Sequence, residues 1–159
     1  MIPVISFVGY SNSGKTTFLC KLIGELKKRR YRVGLIKHDG HDFDMDVPET
    51  DTWKHWQAGA DVVAIASPVK MAVIKKAPPG LEELLAHMKG VDIILTEGFK
   101  GENKPQIEIN RQGIASLGAK ANTLAVVSDG LAYEGLPRFD LEEVGEVADF
   151  LEPFIKGPS

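Results

Sequence analysis

Short apolar runs alternate along this chain with longer stretches in which apolar residues return every third or fourth position. The first run, residues 4–8 (Val-Ile-Ser-Phe-Val), reads as a buried strand. In residues 15–30, Phe18, Leu22 and Leu26 fall at i, i+4 and i+8, with Leu19 and Ile23 beside them, which predicts an amphipathic helix. Its basic end, Lys27-Lys28-Arg29-Arg30, suits the negative pole of a helix and reads as solvated. Residues 31–37 carry Val33, Leu35 and Ile36 and read as a second strand. Strand, helix, strand is a βαβ unit, whose two strands run parallel.

Residues 38–51 are polar and read as a loop, followed by a short helix at 52–58 that Gly59 stops. Runs 62–66 and 71–74, joined by a turn around Pro68, are too close for a crossover; they predict an antiparallel hairpin and so a mixed sheet. Pro78-Pro79-Gly80 breaks the chain before a helix at 81–89 with Leu81, Leu84, Leu85 and Met88 inward. Residues 91–95 form a strongly apolar strand ending in Thr96-Glu97-Gly98. Residues 107–109 alternate like a half-buried strand, and 123–127 are a further apolar strand ending in Ser128-Asp129-Gly130. A closing helix at 141–155 carries Leu141, Val144, Val147, Ala148 and Leu151 at helical spacing. There is no repeat, low-complexity tract or long linker.

Composition narrows the class. A 159-residue chain with 26% charged residues is that of a soluble globular protein. A net charge of −3 argues against a general nucleic-acid binder. No apolar run has the length of a membrane span. The N-terminus lacks a leader pattern, so a cytoplasmic protein is expected. The single cysteine, Cys20, cannot form an internal disulfide and reads as a small buried side chain of the first helix.

The chemistry begins where the first strand ends. Gly9, four residues, then Gly14, Lys15 and Thr16 match the phosphate-loop pattern G-x-x-x-x-G-K-[ST]. A polyphosphate needs several donors converging at short range. Backbone N–H groups of Gly9, Ser11, Asn12, Ser13, Gly14, Lys15, Thr16 and Thr17 supply them if the chain wraps around the anion. Lys15 adds charge for the outer phosphates, the Thr16 hydroxyl is placed for Mg²⁺, and the helix that follows turns its positive pole to the same point. Strand before and helix after define an α/β, P-loop NTPase-like three-layer fold. It has a mostly parallel sheet, an antiparallel hairpin and helices on both faces. Residues 1–159 read as one nucleotide-binding domain.

Ligands of such sheets sit at the carboxyl ends of the strands. The second strand leads into a loop with two histidines, His38 and His41, and five aspartates. The loop reads as a switch-like Mg²⁺–nucleotide segment with Asp39, Asp42 and Asp46 as candidates, or as a dedicated metal site, or as a solvated acidic loop. Glu97 stands where a P-loop protein places a second Mg²⁺ contact or a water-positioning group, so Lys15 and Glu97 are the catalytic candidates. Asp129 could accept the paired N–H donors of guanine, or form an Asp-Gly turn. Asn103-Lys104 does not open a guanine-reading Asn-Lys-x-Asp motif, because residue 106 is Gln.

These residues resemble the molybdopterin-guanine dinucleotide biosynthesis protein B family, MobB. The resemblance rests on residues 9–17, on Gly34-Leu-Ile-Lys-His38, and on the His41-to-Asp46 stretch with Pro48 and Asp51-Thr52. Ala58-Gly-Ala60 and Thr96-Glu-Gly-Phe-Lys100 complete it. Where the family often has Pro-Gly-Lys-Asp, this chain has Pro48-Glu-Thr-Asp51. The resemblance implies a homodimeric GTP-binding protein with weak GTPase activity. It would assist the MobA guanylyltransferase, which joins GMP from GTP to molybdopterin-bound molybdenum. The molybdopterin-bound cofactor is a further candidate partner. Implied cofactors are GTP and Mg²⁺, with Thr16, Asp46 and Glu97 as the metal positions.

Two other classes share the phosphate-loop pattern, a small P-loop kinase and a nucleotide-dependent metallochaperone. A kinase needs several cations around the transferred phosphoryl group. After the first βαβ unit only Arg111 and Arg138 are arginines. The same scarcity, with no internal arginine finger evident, predicts slow GTP hydrolysis.

Overall fold

A computed structural model describes residues 1–78 and 80–157. The predicted break at Pro78-Pro79-Gly80 centres on Pro79, which lies outside the described residues. The elements in chain order are β1 (Val4–Val8), α1 (Lys15–Lys28), β2 (Val33–Lys37), α2 (Asp51–Gln57), β3 (Val62–Ala66), β4 (Met71–Lys75) and α3 (Leu81–Ala86). They continue with β5 (Ile93–Glu97), β6 (Gln106–Asn110), β7 (Thr123–Ser128), β8 (Arg138–Phe139) and α4 (Val144–Lys156). The chain divides into two compact units. One holds residues 1–38 and the chain from Leu84 on, and the other is residues 39–83.

The first unit is built on a six-stranded, wholly parallel sheet in the order β2-β5-β1-β6-β7-β8. Alternation along the strands divides its two faces. Ile5, Phe7, Ile93, Leu95, Ile107, Ile109, Ala125 and Val127 point to one side. There they pack with Phe18, Leu19, Leu22 and Leu26 of α1 and with Val147, Ala148 and Leu151 of α4. This is the core that the apolar stripes predict, and all of these side chains are buried. The opposite face carries Ser6, Thr96, Glu108, Asn110 and Ser128. Buried polar groups need partners there: Thr96 bonds Ser6 at 2.9 Å, and Glu108 accepts the Leu117 amide at 2.9 Å and the Tyr133 hydroxyl.

Several local expectations change. Cys20 is exposed, because the buried stripe of α1 runs through Phe18, Leu19, Leu22 and Leu26 and leaves position 20 on the outer side. The helix stops at Lys28 rather than Arg30. Arg30 N–H bonds Lys27 C=O and Tyr31 N–H bonds Leu26 C=O, the paired closure of a Schellman motif, with Arg30 at φ 68° in the place usually taken by glycine. Nor is the basic end merely solvated. Arg29 reaches Asp149 at 2.5 Å, Glu152 at 3.0 Å and the Gly145 carbonyl at 3.1 Å, tying α1 to α4. β6 is not half-buried: all five of its residues are inside, because it pairs with β1 on one side and β7 on the other. β5 runs two residues further than expected, so Glu97 ends the strand instead of following it. The two-residue β8 was not anticipated.

The second unit holds α2, capped by the Thr50 hydroxyl accepting from the Trp53 amide, and the antiparallel pair β3–β4. The hairpin forms its own two-stranded sheet, so the main sheet is parallel throughout rather than mixed. Val62, Met71 and Val73 lie on one face of the hairpin and are exposed. Among the described residues, no helix is long and apolar enough to cross a membrane.

Candidate functional site

The loop from Gly9 to Gly14 turns back between β1 and α1 under tight constraint. A Cβ at position 9 would lie 2.3 Å from the Ile109 carbonyl oxygen and 2.7 Å from Ser13 Oγ, so only glycine fits between the loop and β6. Gly14, at φ 92°, is the N-cap residue of α1 and supplies a conformation that costs other residues strain. No side chain caps this helix and no acidic residue stands in its first turn. Its first amides therefore remain open at the positive pole of a 14-residue helix. Ser13 Oγ is fully buried and has no hydrogen-bond partner. A buried hydroxyl left without a partner beside free amides is the donor set an anion satisfies.

Lys15 folds across the loop, its Nζ 3.1 Å from the Gly9 carbonyl and 2.8 Å from that of Tyr10. Burial pulls its pKa below the usual lysine value; Glu97 pushes it back up, and Lys100 lowers it again. Thr16 Oγ1 donates to Glu97 Oε1 at 2.6 Å. Glu97 is mostly buried, and its strand pairs it with Phe7 of β1 and Lys37 of β2. A hydroxyl and a carboxylate oxygen side by side at the lip of the loop fit Mg²⁺, which takes hard oxygens and one or two carboxylates and leaves other positions to phosphate and water.

The two sequence blocks that follow β2 and β5 meet in space. His38 N–H bonds the Glu97 carbonyl at 2.9 Å, and the His38 ring lies edge-on to Phe99 at 5.0 Å. Gly98, at φ 98°, runs so close to His38 that a Cβ would come within 3.2 Å of the histidine Cβ. Lys100 then sits over the Tyr10 ring at 4.5 Å. The Thr-Glu-Gly-Phe-Lys turn thus braces the phosphate loop and fixes Glu97.

The acidic loop belongs to the second unit. Asp46 Oδ1 accepts the Val47 amide at 2.8 Å and the Thr50 hydroxyl at 3.2 Å. The Thr52 hydroxyl, more than these two bonds, holds its pKa below the usual carboxylate range. Asp42 and Asp39 bond backbone amides of Phe43 and His41. Among the described residues, no group of three or more His, Cys, Asp or Glu converges to hold a metal.

Asp129 is exposed at the end of β7, and its Oδ1 accepts the Gln112 amide at 2.7 Å. It therefore serves at least as a turn tie. The residue that sequence reasoning passed over is Arg111. A cleft of about 370 Å³ is lined by Asn12, Gly14, Lys15, Thr16, Thr17 and Arg111. Arg111 follows β6 as Glu97 ends β5 and Asp129 follows β7, so the strand-end rule could have found it had β6 been recognised as central.

A parallel sheet, a glycine-constrained loop opening a helix, and an acidic strand end beside the loop threonine make this a P-loop NTPase-like α/β protein. Residues 4–129 match the family model described as molybdopterin guanine dinucleotide synthesis protein B, and the chain belongs to that MobB family. The molybdopterin-guanine dinucleotide biosynthesis adapter protein of Escherichia coli is 36% identical, over 95% of this chain and 92% of that protein. The adapter protein of Haemophilus influenzae is 34% identical, over 97% and 90%. The crystal structure of Bacillus subtilis MobB matches with a TM-score of 0.79 at 25% identity, covering 99% of this chain and all of that one.

Proposed function

We propose that this protein is a GTP-binding adapter of molybdopterin-guanine dinucleotide biosynthesis, acting in the cytoplasm as a homodimer beside a MobA-type guanylyltransferase. Residues 1–159 act as one nucleotide-binding domain. The observation that carries the reading is the uncapped α1 N-terminus behind Gly14, with the partnerless Ser13 hydroxyl inside the loop. The names of the similar adapter proteins supply the pathway. The exposed apolar face of the hairpin supports the homodimer, since monomers seldom leave such a face in water.

In this reading the loop amides and Lys15 hold the β- and γ-phosphates. Thr16 and Glu97 hold Mg²⁺, directly or through water, and Asp46 is the acidic loop's own candidate ligand. The bound ion would neutralise charge between the outer phosphates. Glu97 also stands where it can orient a water. Asp129 is the candidate acceptor for guanine, and it must give up its bond to Gln112 to offer both oxygens. Hydrolysis is slow, so the nucleotide acts mainly as a bound ligand.

Calorimetric titration with GTP and ATP in the presence of Mg²⁺ tests the proposal. GTP should bind at least about tenfold tighter than ATP. Lys15→Ala should weaken GTP by about a hundredfold, the scale of removing a buried charge partner. Equal affinity for the two nucleotides would remove Asp129 as base reader, and absence of binding would remove the whole reading.

A further inference from the structure

We infer that Arg111 is a ligand of the inner phosphates of the bound nucleotide, an inference that rests on the nucleotide-binding reading above. Neighbouring strands β5, β1, β6 and β7 deliver, in that order across the sheet, Glu97, the phosphate loop, Arg111 and Asp129. Thr16 and Glu97 mark the metal end of the row, where the outer phosphates belong. Arg111 enters from the other side of β1. Its guanidinium lies against Gly14: a Cβ at that position would be 3.1 Å from Nη2 and 3.7 Å from Cζ. A polyphosphate laid along the row with its outer end at Glu97 brings its inner end to Arg111, and its base towards β7.

The root of Arg111 is fixed. Ile114 N–H bonds the Arg111 carbonyl at 3.0 Å, closing a turn with Gly113 at φ 85°, the pattern of a type II turn. Asn110 Nδ2 donates to the carbonyls of Ile114 at 3.3 Å and Ala115 at 3.1 Å. Asp129 takes the next amide, that of Gln112, at 2.7 Å. The tip is not fixed. Among the described residues no carboxylate pairs with the guanidinium, and Asp129 places its oxygen on backbone rather than on the arginine. A fork of N–H donors anchored at its base and open at its tip, facing a loop of free amides, is suited to a bidentate phosphate contact.

The test uses the full chain, GDP and a non-hydrolysable GTP analogue, with affinities from calorimetry. Arg111→Ala should weaken both nucleotides by the same factor, on the order of tenfold. Arg111→Lys should recover part of the loss, because it restores the charge without the fork. The side chain is exposed, so both variants should melt with the parent protein. Selective loss of the triphosphate analogue would assign Arg111 to the outer phosphate and overturn the inference. Unchanged affinities, with Lys15→Ala still defective, would overturn it alone. No binding by the unaltered chain would overturn the nucleotide reading and this inference together.

Discussion

Asp92 stands just before β5, and its carboxylate accepts from Arg32 three times, from the amide at 2.7 Å, from Nη2 at 2.8 Å and from Nε at 3.3 Å. These bonds draw its pKa down to about 2. An unfolded aspartate titrates near ~3.9. A depressed folded value favours the charged form, so this contribution is complete above roughly pH 4 and is lost as pH falls towards 2. Asp92→Asn should therefore unfold at lower denaturant concentration at pH 7, and the gap from the parent should close between about pH 4 and pH 2. A gap that stays constant with pH would show that the carboxylate is not responsible. Arg30 makes a different point at the same scale. A helix end is usually marked in sequence by glycine at the left-handed position. Here arginine occupies it, held by the two closing hydrogen bonds, and the end was misplaced by two residues.

Among the elements, α1 was legible from its apolar spacing: four of the five residues the spacing selects are buried, and Ile23 is partly so. Leu22 is fully buried at the centre of the stripe. Leu22→Ala should cost about 2–5 kcal/mol in chemical denaturation. A loss below about 1 kcal/mol would mean that the α1–sheet contact relaxes more than this packing allows. β6 was the least legible element, and the reason is physical. A strand between two parallel neighbours usually reads as a continuous apolar run. β6 instead places Gln106, Glu108 and Asn110 on the polar face, where side chains and loop backbone satisfy them. Polar alternation therefore mimicked a half-exposed strand and hid Arg111 with it.

For the whole molecule, the proposed homodimer can be tested at the hairpin. Val62, Met71 and Val73 form an exposed apolar face on an element that pairs only with itself among the described residues. Replacing Met71 and Val73 together by lysine should leave the sheet of the first unit folded and turn a dimer into a monomer in sedimentation analysis. A parent chain that sediments as a monomer at micromolar concentration would remove the homodimer from the proposal, and an unaltered dimer in the variant would place the interface elsewhere.

The sequence by itself determined the strand–loop–helix that opens the chain, the glycines that shape its loop, the apolar stripes of the core and the family. Each depends on spacing along a few residues, where backbone geometry and periodicity act locally. Only the tertiary structure decided that Thr16 meets Glu97, that the Lys-His and Glu-Gly-Phe-Lys blocks brace one another, and that Arg111 comes to the lip of the loop. Those meetings depend on strand order, and parallel strands are joined by crossovers, so residues far apart in the chain become neighbours at one sheet edge.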